Sequence, residues 1–589
     1  MKRFQLYLLL FVIFFHINKI YGQTYEERYN LNFAHFNDSV PNWISFVNQS
    51  SVMIDSATVY HHKHPLKISP QKKWARLQIP ASLSSTLFNM FLLPDSPIDT
   101  IEIRMTSKQK NLKQARLLID RISKHEKILF TDTLNANLQD TTWNTVSVKI
   151  PASDVKLLNL RLGVYGQNDK KDPNRELVIW FDRVEILADG RSLNEFALPI
   201  IEPFSVSEPE EIKTLSFEEN LYGNIEELKS KKIVALGETV HGSGTVNRAA
   251  AQIIKHRVLN NDCRLILLEL PSETMMFLNK EIQGESVFRG DSILKNLGML
   301  FDASVLADLV LWLKQYNNAH PDDKVTLMGM DLNYLDEANY KQLAEYVTCL
   351  NQTKKNKLLV DLSALLSKIL IDKPSSILAF LRQHSEIKNI LGNTEYELIK
   401  HNLEMSQKAT MVPEIRLHYR DSIMKENAVF LTNLFAPQGK TVTIWTHFLH
   451  ANHSYSSPSA PVRSFGSYMR DHYGDEYSCI GITVGNGIVT NVSLAKDGKA
   501  EYIDYHILQP IDGSIESFFS EYSEAYVYCH SAFFKDGIQY IRYIGQPYSE
   551  KKQFELMNPK TRMDGVIFIN DSEALSKSLI IDNDKEHLH

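Results

Sequence analysis

Cysteine is scarce. The 589 residues hold four, Cys263, Cys349, Cys479 and Cys529, and none is spaced as Cys-x-x-Cys. That excludes a thiolate metal centre and a thioredoxin-like redox pair. Cys263, Cys479 and Cys529 lie in or beside apolar runs and read as small buried hydrophobes, with no essential disulfide expected. Positive charge is not concentrated either. The net charge is -6 and no basic stripe interleaves with aromatics, which excludes a nucleic-acid footprint. Past the N-terminus no apolar run reaches the roughly 20 residues needed to span a bilayer. Familiar chemical signatures are missing too. No Gly-x-Ser-x-Gly elbow offers a serine nucleophile. No Gly-x-Gly-x-x-Gly follows a strand, and Ser243 stands where a P-loop needs its lysine. No His-Glu-x-x-His supplies a zincin site, and none of the cysteines has a His partner in sequence. Carboxylates and imidazoles remain. They can activate water by general-base catalysis or hold a metal that does so.

What is present is globular: 43% hydrophobic and 23% charged residues in a chain too long for one ordinary core. Lys2-Arg3, an apolar run from Leu6 to Phe15 and Ile20-Tyr21-Gly22 have the order of a secretory signal peptide. Residues 1–22 are therefore expected to be removed near Gly22, giving an exported (periplasmic or secreted) protein. No cysteine sits there to carry a lipid.

Two textures follow. Residues 23–191 hold short runs of period-2 alternation, at 74–79, 100–105, 145–150 and 160–165, separated by turn residues. These predict an all-β sandwich, jelly-roll-like, and its similarity to jelly-roll binding domains implies an accessory binding domain. Contact with carbohydrate or a cell surface is the expected role, a stabilising spacer the plainer one. Trp43, Trp74, Trp143 and Trp180 read as core rather than as a sugar platform. Residues 192–214, with Pro199, Pro203 and Pro209, read as a linker. From residue 215 to 589 strands and helices alternate. Strands are expected at 233–236, 264–268, 325–330, 442–446, 477–484, 525–529 and 566–569. Helices are expected at 302–316, 336–350, 354–371 and 414–435. Continuous apolar strands imply an α/β domain with a mostly parallel sheet and helices on both faces. Residues 350–435 carry no strand signal and are expected to form a helical insertion.

The strand ends carry the chemistry. Residues 233–236 run into Gly237-Glu238-Thr239-Val240-His241-Gly242. The next strand ends at Glu269, a third in Gly329-Met330-Asp331, and a fourth runs into His447 and His450. Parallel strands would bring these tips to one edge, where ligands bind in open α/β sheets. Singly, each has a plain reading: a polar turn at 237–242, Glu269 capping a helix, Asp331 bracing a loop, His450 a satisfied core histidine. Together they mark Glu238, His241, Glu269 and His447.

These motifs, with Trp445-Thr446-His447-Phe448-Leu449-His450, Gly466-Ser467-Tyr468-Met469-Arg470 and Met563-Asp564-Gly565-Val566, resemble the erythromycin esterase family. The resemblance spans roughly residues 217–571 and leaves the N-terminal β region out. It implies hydrolysis of an ester or lactone, a macrolactone in the best-known members, by water without cofactor or required metal. It implies His241 as general base, Glu238 and Glu269 orienting or charge-stabilising it, and His447 and His450 holding the carbonyl or protonating the leaving alkoxide. Asp331, Arg248 and Phe448 are the expected substrate-binding positions. The chain departs from the pattern where Phe448 replaces an Asn, where Ser243-Gly244-Thr245 lacks an acidic residue, and where Ala250 occupies an expected Arg position. Macrolide inactivation, a response to antibiotic, is thus one expectation among other small-molecule esters or lactones. Two other classes stay open: a metal-dependent hydrolase or peptidase using Glu238, His241, Glu269 and His447 as ligands, and a non-catalytic ligand-binding protein.

Overall fold

A computed structural model describes residues 24–576 except 34–42, 46–49, 62, 71–81, 113, 138–141, 168–175, 216–221, 224, 286–300, 332–336, 369–373, 411–415, 458–459, 495–499, 523–525, 547 and 549–552. The expected signal segment and the strand at 74–79 lie outside the described residues. The chain divides into two compact units, Met1–Ile201 with Pro458–Pro461, and Glu202–Ser457 with Val462–His589.

The first unit is built of strands. One sheet has five strands and the other six, and every pairing is antiparallel. Thr100–Lys110 shows why: alternate residues Ile101, Ile103 and Met105 are fully buried while Glu102 and Arg104 between them are not. Both sheets contribute to one core, with Leu87, Leu117 and Leu160 from one and Ile68, Ile103 and Phe181 from the other. Asp189 and Gly190, both at positive φ, close a two-residue hairpin between Ala188 and Arg191. Of the tryptophans described, Trp43 is core. Trp143 and Trp180 are only half-buried, the first stacked on Tyr60 and the second flanked by Lys67 and Lys108. That departs from the expected core role: Trp180 stands where alternation turns its side chain away from the core, and Trp143 lies just before the strand Asn144–Pro151.

The second unit is mixed α/β around a nine-stranded sheet. Its strands are β1 (Lys213–Leu215), β2 (Ile233–Glu238), β3 (Cys263–Pro271), β4 (Thr326–Asp331), β5 (Thr441–His447), β6 (Tyr477–Leu494), β7 (Ala500–His506), β8 (Tyr526–His530) and β9 (Gly565–Ser572). The order is β1-β8-β9-β6-β2-β5-β3-β4, with β7 paired on β6. The six neighbours from β9 to β4 run parallel, and β1, β7 and β8 pair antiparallel. The sheet is therefore mixed: its parallel part runs from β9 to the β4 edge, and at the other edge β8 reverses direction and β1 reverses it again. Ile233 and Ala235 enter one apolar core, and Val234 and Leu236 enter the other. Helix α1 (Gly244–Asn260) covers the second core with Val246, Ile253 and Ile254; helix α2 (Arg416–Phe435) covers the first with Met424, Ala428 and Leu431. Residues 350–435 hold only helices among the described residues.

The expected linker is largely structural. From Glu202 onward it belongs to the second unit. Phe204 is buried among Phe518, Phe519 and Phe534, and 213–215 form the edge strand β1. Prolines mark an irregular path here, not an unpacked one. All four cysteines are unpaired, with Cys263, Cys479 and Cys529 buried. Among the described residues no helix is long and apolar enough to cross a membrane.

Candidate active site

Register brings the predicted tips to one edge. Glu238 at the end of β2 lies opposite His447 at the end of β5, Leu268 of β3 lies opposite Trp445, and Pro271 lies opposite Asp331. Two glycines permit the layout. A Cβ on Gly237 would stand 3.0 Å from the Phe448 ring and 3.1 Å from Ala451, so the short helix α3 (Phe448–Ala451) crosses the strand tip so closely that any side chain there would force its neighbours to shift. Gly242 has φ +82°, and a Cβ there would stand 1.8 Å from the Thr490 carbonyl oxygen. Ser243 then caps α1 by accepting the Val246 N–H.

Glu238 and His241 form a tight pair. His241 Nδ1 is 2.8 Å from Glu238 Oε1, and Trp445 Nε1–H donates to Glu238 Oε2 at 3.2 Å. Both carboxyl oxygens accept, so Nδ1 carries the proton and Nε2 presents its lone pair. Among the described residues Nε2 has no hydrogen-bond partner, and the side chain is 9% exposed. The backbone is held as firmly: the His241 N–H donates to the Ile544 carbonyl, and the Ile544 N–H donates to Thr239 O, each at 2.9 Å.

His447 packs against His241 with ring centroids 4.1 Å apart, yet it is fully committed. Its Nδ1 accepts the Leu449 N–H at 3.1 Å, capping α3, and its Nε2–H donates to the Ile544 carbonyl at 3.3 Å. Burial, then the neighbouring His241, hold its pKa well below the usual imidazole value, so it stays neutral.

Glu269 is saturated. Oε1 accepts Arg420 Nη2 at 2.8 Å and faces His450 Nε2 at 3.3 Å. Oε2 accepts the Thr446 hydroxyl at 2.7 Å and the His447 N–H at 2.9 Å. Burial opposes its charge, but His450 and Arg420 outweigh that and hold the carboxyl well below its usual range. Asp331 takes Arg420 bidentately, at 3.0 and 2.7 Å. His450 lies between Glu269 and Asp421, whose Oδ1 is 2.9 Å from Nδ1. Burial lowers its pKa, but Asp421 and Glu269 together raise it to about 10. Arg420 Nη1, 3.0 Å from His450 Nε2, opposes the charge without cancelling it.

The edge thus gathers Glu238, His241, Glu269, His447, His450 and Asp331. It does not gather the other two expected residues. Arg248 donates to Glu573 at 2.6 Å and Thr245 at 3.2 Å, with no bond to the cluster among the described residues. Phe448 is 1% exposed within the apolar core, filling the space over Gly237. Ala250 is likewise core. The ligand set imagined for a metal is not formed: Glu269 and His447 have spent their lone pairs on protein donors, and among the described residues no group of three or more His, Cys, Asp or Glu is arranged to hold a metal ion. Arg420, Asp421 and Ile544 were not foreseen. The Arg-Asp dipeptide early in a helix was the one faint signal; a backbone carbonyl leaves none.

The erythromycin esterase family model matches residues 260–572, more than half of the chain. The chain belongs to the erythromycin esterase family. The match begins after Glu238 and His241, so the pair stands on its geometry alone. A Bacillus subtilis (strain 168) protein named "Putative hydrolase YbfO" is 23% identical over 261 residues, 38% of this chain and 57% of that protein; the chain spans just over half the length of this relative. A mutant of the erythromycin esterase EreC in its open conformation aligns at 13% identity over 64% of this chain and 98% of that one, with a TM-score of 0.45. The module TmCBM61, solved with β-1,4-galactotriose, aligns at 10% identity over 28% of this chain and 99% of that one, with a TM-score of 0.20.

Proposed function

We propose that this erythromycin esterase family member is an exported, metal-independent hydrolase of carboxylic esters or lactones, with His241 as the general base. The observation that supports this most is the Glu238–His241 pair, whose Nδ1 is fixed by a carboxylate and whose Nε2 is left without a protein partner. In this reading His241 Nε2 takes a proton from water as the water oxygen bonds to the ester carbonyl carbon. Glu238 offsets the imidazolium charge, and the same proton passes to the leaving alkoxide. Neutral His447 adds no opposing charge beside it. Arg420, 22% exposed and held by Glu269 and Asp331, is the cation to which this reading gives the oxyanion. Glu269 and His450 then serve as its scaffold and do not meet substrate. Export rests on the signal-like residues 1–22.

Purified full chain assayed against simple esters, lactones and macrolides, with and without EDTA, tests the proposal. Hydrolysis that survives chelation and disappears in His241→Gln is the expected result. Loss of turnover in EDTA with recovery on adding metal would overturn it, and so would no hydrolysis across the panel. For the N-terminal unit we propose an accessory contact with carbohydrate, supported by the half-buried Trp143–Tyr60 stack. Retention of the full chain on immobilised polysaccharide, reduced in Trp143→Ala, is the expected outcome.

A further inference from the structure

A buried carboxyl outside the strand-tip cluster is wired to both histidines of the site. Glu516, on the short helix Ile515–Phe519, is 0% exposed. Its Oε1 accepts two donors: the Thr483 hydroxyl at 2.7 Å and the Arg542 N–H at 3.1 Å. Thr483 in turn accepts the Thr239 hydroxyl at 2.9 Å. Thr239 is two residues before His241, and Arg542 is two residues before Ile544. Those two ends meet in the parallel bridge between Val240 and Ile544, where the Ile544 carbonyl receives both the His241 N–H and His447 Nε2–H. One carboxyl oxygen therefore ties together the two strips of backbone that fix the base and its neutral neighbour.

The other oxygen makes the arrangement unusual. Glu516 Oε2 is buried with no hydrogen-bond partner among the described residues. An unsatisfied buried polar atom costs free energy and calls for an explanation beyond packing. Burial also raises the Glu516 pKa, although the Arg542 guanidinium opposes this. That guanidinium bonds instead to the carbonyls of Val484, Gly485 and Leu508 and to Gln553, so it does not close a direct pair with Glu516.

We propose that Glu516 is a positioning residue of the active site: through Thr483–Thr239 and the Arg542 backbone it sets the Ile544 carbonyl that orients His241 and fixes the His447 tautomer. The proposal rests on the hydrolase reading for its kinetic consequence, not for its structural one. Oε1 does the work by accepting, so an amide can replace the carboxyl.

Three variants of the full chain test this: Glu516→Ala, Glu516→Gln and Thr483→Val. Two readouts are taken: steady-state kinetics on whichever ester the wild type hydrolyses, and the ¹⁵N-histidine spectrum, in which His241→Gln and His447→Gln identify the two signals. Glu516→Ala should lower kcat by about 30-fold with KM within about twofold, since slight misplacement of a base is costly. It should also move the His241 and His447 ring signals. Glu516→Gln should restore both, and Thr483→Val should show a smaller loss of the same kind. A folded Glu516→Ala with wild-type kcat and unmoved signals overturns the proposal, as does a Glu516→Gln as impaired as the alanine variant. If Glu516→Ala does not fold, the Gln and Thr483 variants decide by the same criteria. If the wild type hydrolyses nothing, the hydrolase reading fails, and the histidine spectra alone judge the positioning role.

Discussion

The active-site edge has two halves built from the same residue types. In one, Glu238 and His241 form a pair with one imidazole nitrogen left over. In the other, Glu269, Asp331, Asp421, Arg420 and His450 form a closed network in which every named carboxylate already serves a protein donor. Both halves meet at the strand tips, the second with Arg420 and Asp421 reaching in from helix α2, and all of the named residues but Arg420 are buried. The difference lies in spare valence. A group whose donors and acceptors are all engaged can hold its neighbours in place but cannot exchange a proton with a substrate without breaking the bonds that position it. Proton transfer is therefore what we propose for the incomplete half, while the closed half is proposed to act as scaffold and to offer the fixed charge of Arg420.

The sharpest break of this contrast is His241→Gln. It removes the uncommitted nitrogen and should lower kcat about a thousandfold with little change in melting temperature, read by ester hydrolysis and thermal unfolding. Arg420→Met strikes the closed half and should look different. It strands Glu269 and Asp331 without their shared cation, and urea unfolding should show a loss of about 3 kcal/mol on top of any kinetic effect. If the two variants lost rate and stability in the same proportion, the division of labour would be wrong.

A pH series separates the halves further. His450 is raised from 6.5 to about 10 in the folded state, so its charged contacts contribute stability fully below about pH 6.5. That contribution should be lost as the pH rises through about 10. Unfolding midpoints should therefore fall between pH 7 and 10, and His450→Gln should flatten that slope. Arg248→Ala should do least. It is a 40%-exposed side chain paired with Glu573, and kcat/KM should stay within about twofold of the wild type.

The central strands were legible because they are apolar on both faces. A run such as Ile233-Val234-Ala235-Leu236 has no other comfortable place. Once the strands were placed, their tips followed, and Glu238, Glu269, Asp331 and His447 could be read as neighbours. The antiparallel edge was harder: Lys213–Leu215 is three residues long and hidden in a proline-rich stretch. Roles were harder still. That His447 is tied up depends on the Leu449 and Ile544 backbone groups, which leave no mark in a side-chain pattern. Arg420 lies 151 residues from Glu269 and 89 from Asp331, the two carboxylates it serves, in a helix whose periodicity reports only that it packs. Phe448 was read as a substrate contact because it replaces a polar residue in a motif, whereas the close approach to Gly237 makes it a core residue.

The bridge between Val240 and Ile544 has a consequence for how the protein comes into being. The carbonyl that receives the His241 N–H is made some three hundred residues later in synthesis. Until nearly nine-tenths of the second unit has been made, the His241 corner has no wall behind it, and such distant pairings form slowly. A nascent or C-terminally truncated chain would carry His241 on an unsupported loop. The proposed hydrolytic competence is therefore expected as a late event in biogenesis, arriving only after the last strands have joined the sheet.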